Sequence, residues 1–139
     1  MMTPKEECEL LLSAILPAAQ NLLKKYREFY PIGAVLTGNK EIQFTETYAQ
    51  TELPSPETVI RNLTELHKQM AAENRIVASA IAWNGGITTS QGKNTDAILI
   101  SLEHRDNYRV LTAAPYQIGL FKRISFHDLI ALEGLQNIF

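Results

Sequence analysis

The stretch DAILISLEHRDNYRVLTAAPY, residues 96–116, decides the fold of this chain. Residues 96–105 read as a central strand, Asp106-Asn107 is a turn signal, and YRVLTAAPY returns. Two long strand runs joined by so short a turn lie antiparallel. Just upstream, RIVASAIAW (75–83) is apolar on both faces with small residues interspersed, which is the pattern of another central strand. NGGITTSQGKNT (84–95) between them reads as a polar loop. Downstream, residues 120–126 alternate as a further strand, and Asp128 to Glu133 reads as a helical turn closed by Gly134. Pro115 has no donor to give a ladder, so it belongs at a strand end or edge.

Toward the N-terminus the periodicity changes to helical. Thr3-Pro4-Lys5-Glu6 has the composition of a capping box with proline at the first helical position. Cys8, Leu12, Ile15, Ala19, Leu22 and Tyr26 then recur every three or four residues, widened by Leu11, Leu16 and Leu23. The stripe stays in phase past Pro17, so one kinked helix is expected. Pro31 ends it. Residues 32–37 form a strand, Gly38-Asn39 a two-residue turn, and the return strand alternates with Ile42, Phe44 and Tyr48 facing in. Gly33 is expected to leave room for the first helix against the sheet. Ser55-Pro56-Glu57 starts a second helix, with Val59, Ile60, Leu63, Leu66 and Met70 on its inner face.

Composition narrows the function classes. At 139 residues the chain has the size of one domain, 1–139, and needs no metal or disulfide staple. The net charge of −2 and the scattered basic residues argue against a nucleic-acid surface. No apolar run approaches the roughly 20 residues that span a bilayer, so no membrane partner is expected. LLLSAILPAA (10–19) follows Glu6, Glu7 and Glu9, where a signal peptide carries positive charge. With Cys8 as the single cysteine, a cytoplasmic location is the expectation.

Candidate chemistry is sparse. Gly92-Lys93 fails the phosphate-loop pattern at Ile87 and Asn94 and leads into a strand, where such a loop leads into a helix. His67, His104 and His127 are isolated from one another, so no metal site and no cofactor are expected. No nucleophile elbow is present. Glu103, His104 and Arg105 form the densest titratable cluster, with His104 on the opposite strand face from the other two. Tyr116, beside Pro115, is a candidate anchor for a protein contact, and Phe121 is another late aromatic.

Three stretches, FYPIGAVL (29–36), ISLEHRDNYRVLTAAPY (100–116) and the closing NIF, resemble a group of small bacterial proteins without an assigned activity. The resemblance spans most of the chain and implies a bacterial cytoplasmic protein, with no catalytic residue carried over. By element order the chain is also similar to roadblock-type domains, which dimerise and bind small GTPases; it departs from them in an extra late strand and a weak final helix.

The reading is therefore an α+β domain with an antiparallel sheet of five or six strands and two main helices packed on one face. The expected function is a non-catalytic module that self-associates, as a homodimer, or binds a protein partner, an immunity-type inhibitor being one form. The alternative is a small-ligand binder or enzyme with a pocket near Glu103, His104 and Tyr116, which requires those side chains to converge.

Overall fold

The structure, a computed structural model, describes residues 1–46 and 54–139; Tyr48 of the return strand lies outside them. Thr3 Oγ1 accepts the Glu6 N–H and Glu6 Oε1 accepts the Thr3 N–H, both at 3.1 Å, completing the capping box. Helix α1 (Pro4–Tyr26) runs as one helix through Pro17. Its buried line is Cys8, Leu11, Ile15, Ala19 and Leu23, which rotates the inner face toward Leu11 and Leu23 and leaves Tyr26 exposed.

Strands β1 (Ile32–Thr37) and β2 (Ile42–Thr45) form the expected hairpin, but its turn differs. Lys40 donates its N–H to Thr37 O, and the positive φ falls on Lys40 (67°) rather than on Gly38 or Asn39. The loop is thus three residues long with its last member left-handed. The turn at Arg105–Asn107 repeats this device, with Asn107 at φ 69°.

Helix α2 (Pro56–Ala72) starts on Ser55, whose Oγ accepts the Thr58 N–H. It leads to β3 (Ile76–Thr88), β4 (Asn94–His104) and β5 (Tyr108–Ile118). The predicted loop 84–95 is mostly strand: Asn84–Thr88 pairs with Asn94–Ile98, and only residues 89–93 turn, around Gly92 at φ +78°. Gly85 suits this paired segment because a Cβ there would come within 2.8 Å of Leu99 Cδ1.

Past β5 the chain makes a short 3₁₀ turn (Leu120–Lys122), then β6 (Ile124–Phe126) and β7 (Ile130–Glu133). The predicted strand 120–126 is therefore shorter, and the predicted helical turn 128–133 is a strand. The reason is pairing. The free edge of β5 at Val110–Ala113 takes Ile130–Glu133 as a partner, and a sequence such as Ile-Ala-Leu-Glu suits either state. Pro115 lies between the β6 and β7 ladders on that side, where no N–H is asked of it and its carbonyl accepts the His127 N–H at 2.9 Å.

The result is an antiparallel α+β sheet in the order β2-β1-β3-β4-β5-β6, with β7 beside β6 on the edge of β5. The helices do not share a face. Ala34, Leu36, Ala78, Ala80, Ile98, Ile100 and Leu102 pack with the α1 line, whereas the alternate residues Val35 and Ile81, and Ile76 beyond the bulge where the β1–β3 register shifts, pack with Val59, Leu63 and Met70 of α2. Successive strand residues point to opposite faces, so a β1 of Ile-Gly-Ala-Val-Leu-Thr serves two helices at once. Helix α1 lies over β1, β3 and β4 and stops short of β2, which leaves Phe44 55% exposed on its edge strand.

Candidate interaction surface

The residues singled out from the sequence separate into three places. His104 is buried on the α1 face at the β4–β5 turn. Its Nδ1 accepts the Asp106 N–H at 3.0 Å, which leaves the ring proton on Nε2 to donate to Glu7 Oε1 at 3.2 Å. Glu7 Oε2 accepts from the ammonium of Lys40. Burial resists ionisation of Glu7, but the hydrogen bonds from Lys40 and His104 and the charge of Lys40 outweigh it and hold the carboxyl below its usual range. The network ties the first turn of α1 to the far end of β4 and to the β1–β2 loop.

Which member matters most follows from burial. Glu7→Ala strands the His104 Nε2–H in the core and is expected to cost about 2–3 kcal/mol. Lys40→Met removes a half-exposed partner and is expected to cost under about 1 kcal/mol. Urea denaturation of the two variants checks the ranking, and equal losses would contradict it.

Glu103 points to the α2 face, where its Oε1 accepts the N–H groups of Asn137 and Ile138, both at 3.0 Å. This seats the tail on the sheet, with Ile138 packed among Val59, Leu63 and Ile81. Arg105 is exposed in the turn, and its N–H donates to Val77 O. A hollow of about 160 Å³ beside Glu103, His104 and Phe139 is smaller than the usual 300–1,000 Å³ ligand site.

Tyr116 lies at the other end of β5, eight residues or about 27 Å along the strand from Tyr108, the partner of His104. It is buried, not an exposed anchor, and its hydroxyl donates to Asn84 Oδ1 at 2.6 Å. Burial raises its phenol, with Asp96 adding to the effect. Glu103, His104 and Tyr116 therefore line no common cleft. Phe121 stands apart from all three, almost fully exposed.

His67, read from the sequence only as an isolated histidine, and Cys8, read as part of the helical stripe, are both structural. His67 lies on the apolar line of α2, one turn from Leu63, and is fully buried. Its Nδ1 bonds Ser79 Oγ at 2.7 Å and its Nε2 bonds Thr45 Oγ1 at 2.8 Å. Burial pushes the imidazole down to about 4. The chain Ser79–His67–Thr45 has the residue types of a hydrolytic site, but Ser79 is buried too, so no substrate reaches it. Burial likewise pushes the Cys8 thiol up to about 12, the range of an inert core cysteine. Among the described residues no group of His, Cys, Asp or Glu is arranged to hold a metal ion, and no helix is long and apolar enough to cross a membrane.

What the fold leaves open is half of one sheet face. Helix α2 covers β1 and β3 on its side, and among the described residues no helix covers β4, β5 and β7 there. The register places Trp83, Leu99, Ala113 and Ile130 directly across from one another, and Ile81, Ser101, Leu111 and Leu132 in the adjacent row. Ala97, Leu99 and Ala113 are buried beneath half-buried Trp83, Ile87 and Leu111. Ile130 and Leu132 reach solvent at 37% and 39% exposure. A row of this kind across four strands is invisible in any one strand, since it exists only once the register is known.

Fold and surface together define an α+β sheet protein with a helix on each face and one apolar half-face that no helix among the described residues covers. The chain matches no family model, no curated protein and no solved structure.

Proposed function

We propose that this chain is a non-catalytic, self-associating module whose contact face is the helix-free half-sheet of β4, β5 and β7. The observation that supports this reading is the cross-strand row Trp83–Leu99–Ala113–Ile130, with Leu111 and Leu132 beside it. Two such faces pack at about 10 Å and interdigitate as the halves of a β-sandwich do. The centre of the row carries no charge, and Arg109 on the neighbouring row lies toward the rim. A second copy is therefore a better match than a strongly charged partner. The separation of Glu103, His104 and Tyr116 weighs against the ligand-binding alternative.

Light scattering on the full chain tests the reading. The expected mass is twice the 15.6 kDa of one chain at high micromolar concentration. Ile130→Lys with Leu132→Lys is expected to return it to one chain mass without loss of helix signal, because both side chains are already partly in water. A wild-type chain that stays monomeric at that concentration overturns the proposal.

A further inference from the structure

The turn between β5 and β6 lies at the end of the sheet, away from the half-face above. It is closed by backbone hydrogen bonds, Gly119 N–H to Arg123 O at 2.7 Å and Arg123 N–H to Leu120 O at 3.4 Å. At its apex Leu120 is 86% exposed and Phe121 96% exposed. Phe121 holds a left-handed backbone (φ 58°, ψ 23°), which bulky side chains rarely adopt. Two adjacent apolar side chains held out of the fold in this way gain nothing from the domain itself.

Cations flank the apex, and the carboxylates Asp96 and Asp128 lie beyond it along β4 and the chain. Residues 107–127 contain no Asp or Glu, while Lys122 and Arg123 follow Phe121 directly. The last turn of α1 adds Lys24, whose ammonium lies 5.6 Å from the ring centroid of Phe126 on β6. Among the described residues no carboxylate is ion-paired with Lys24 or Arg123. An apolar tip thus stands beside Arg123 of the turn and Lys24 of α1.

We propose that the 119–123 turn docks on an anionic lipid surface, with Leu120 and Phe121 entering the boundary between headgroups and acyl chains. Lys24 and Arg123 then lie at headgroup level, where each cation adds attraction to an anionic leaflet. A protein partner is the weaker match. A specific protein contact takes about 20–30 residues a side, whereas this apex presents two apolar residues and needs no shaped pocket to receive them.

Co-sedimentation of the full chain with vesicles tests this, using phosphatidylcholine alone and phosphatidylcholine mixed with phosphatidylglycerol. The chain is expected to bind the anionic vesicles and to be released by high salt, which screens the cations. Leu120→Ser with Phe121→Ser is expected to weaken that binding by about tenfold or more, the effect of withdrawing large apolar side chains from a buried site. Both positions are solvent-exposed, so the variant is expected to keep its melting temperature. No binding to anionic vesicles, or binding that the double substitution leaves unchanged, overturns the proposal. Binding to polyglutamate without binding to vesicles also overturns it in favour of an acidic protein. Loss of self-association in the double variant overturns it by placing the turn in the contact between copies.

Discussion

Gly33→Ala is expected to destabilise the domain by about 2–4 kcal/mol, lowering its melting temperature by about 10 °C. Helix and strand propensities alone give the opposite sign, since alanine in place of a strand glycine gains about 0.5–1 kcal/mol. The geometry decides between them. A Cβ at Gly33 would overlap Thr45 Oγ1 and come within 2.9 Å of His67 Nε2. It would push apart the Thr45–His67 hydrogen bond and leave a buried imidazole nitrogen without its partner. Gly33 thus leaves room for a close approach, as its position after Pro31 suggests, but what approaches is α2 through His67 and not α1. An unchanged melting temperature would show that the site relaxes and that the His67 network is not tight.

Acidification from pH 7.5 to pH 5 is expected to cost about 2 kcal/mol through His67 alone. In the folded domain burial pushes this imidazole from its ordinary 6.5 down to about 4. The unfolded chain takes up the proton as pH falls through about 6.5, and the folded chain resists until about 4. Stability is therefore complete above 6.5 and is lost progressively as pH falls across that window. Glu7, whose carboxyl is held below its usual range, adds a loss only at lower pH, when it must finally protonate. Urea titrations at the two pH values check the effect. The His67→Gln variant, which cannot titrate, is expected to lose most of the difference; an equal pH dependence in both would assign it elsewhere.

Much of the local structure is legible without the fold. The capping box at Thr3, the serine cap at Ser55 and the turn at Asp106-Asn107 depend on residues within a few positions of one another. The buried Cys8 follows from helical period in the same way. Even His67 is legible as a core position, because it continues the Val59–Leu63 line, although its chemistry made it look unplaced. Less was legible wherever a residue needed a distant partner. Glu103 and His104 are the densest titratable pair in the chain, yet their partners lie at Asn137, Ile138 and Glu7. Nothing near them in sequence announces that they are structural.

The sequence by itself determined the α+β class, the two helices and the central antiparallel strands, since period and turn chemistry act over short distances. The tertiary structure alone decided which face each helix covers, because β1 and β3 are apolar on both faces and accept a helix on either. It also decided that Ile130–Glu133 is a strand, since only the open edge of β5 selects that state. The apolar row from Trp83 to Ile130 belongs to the same class of fact: it is a property of register, made by four strands.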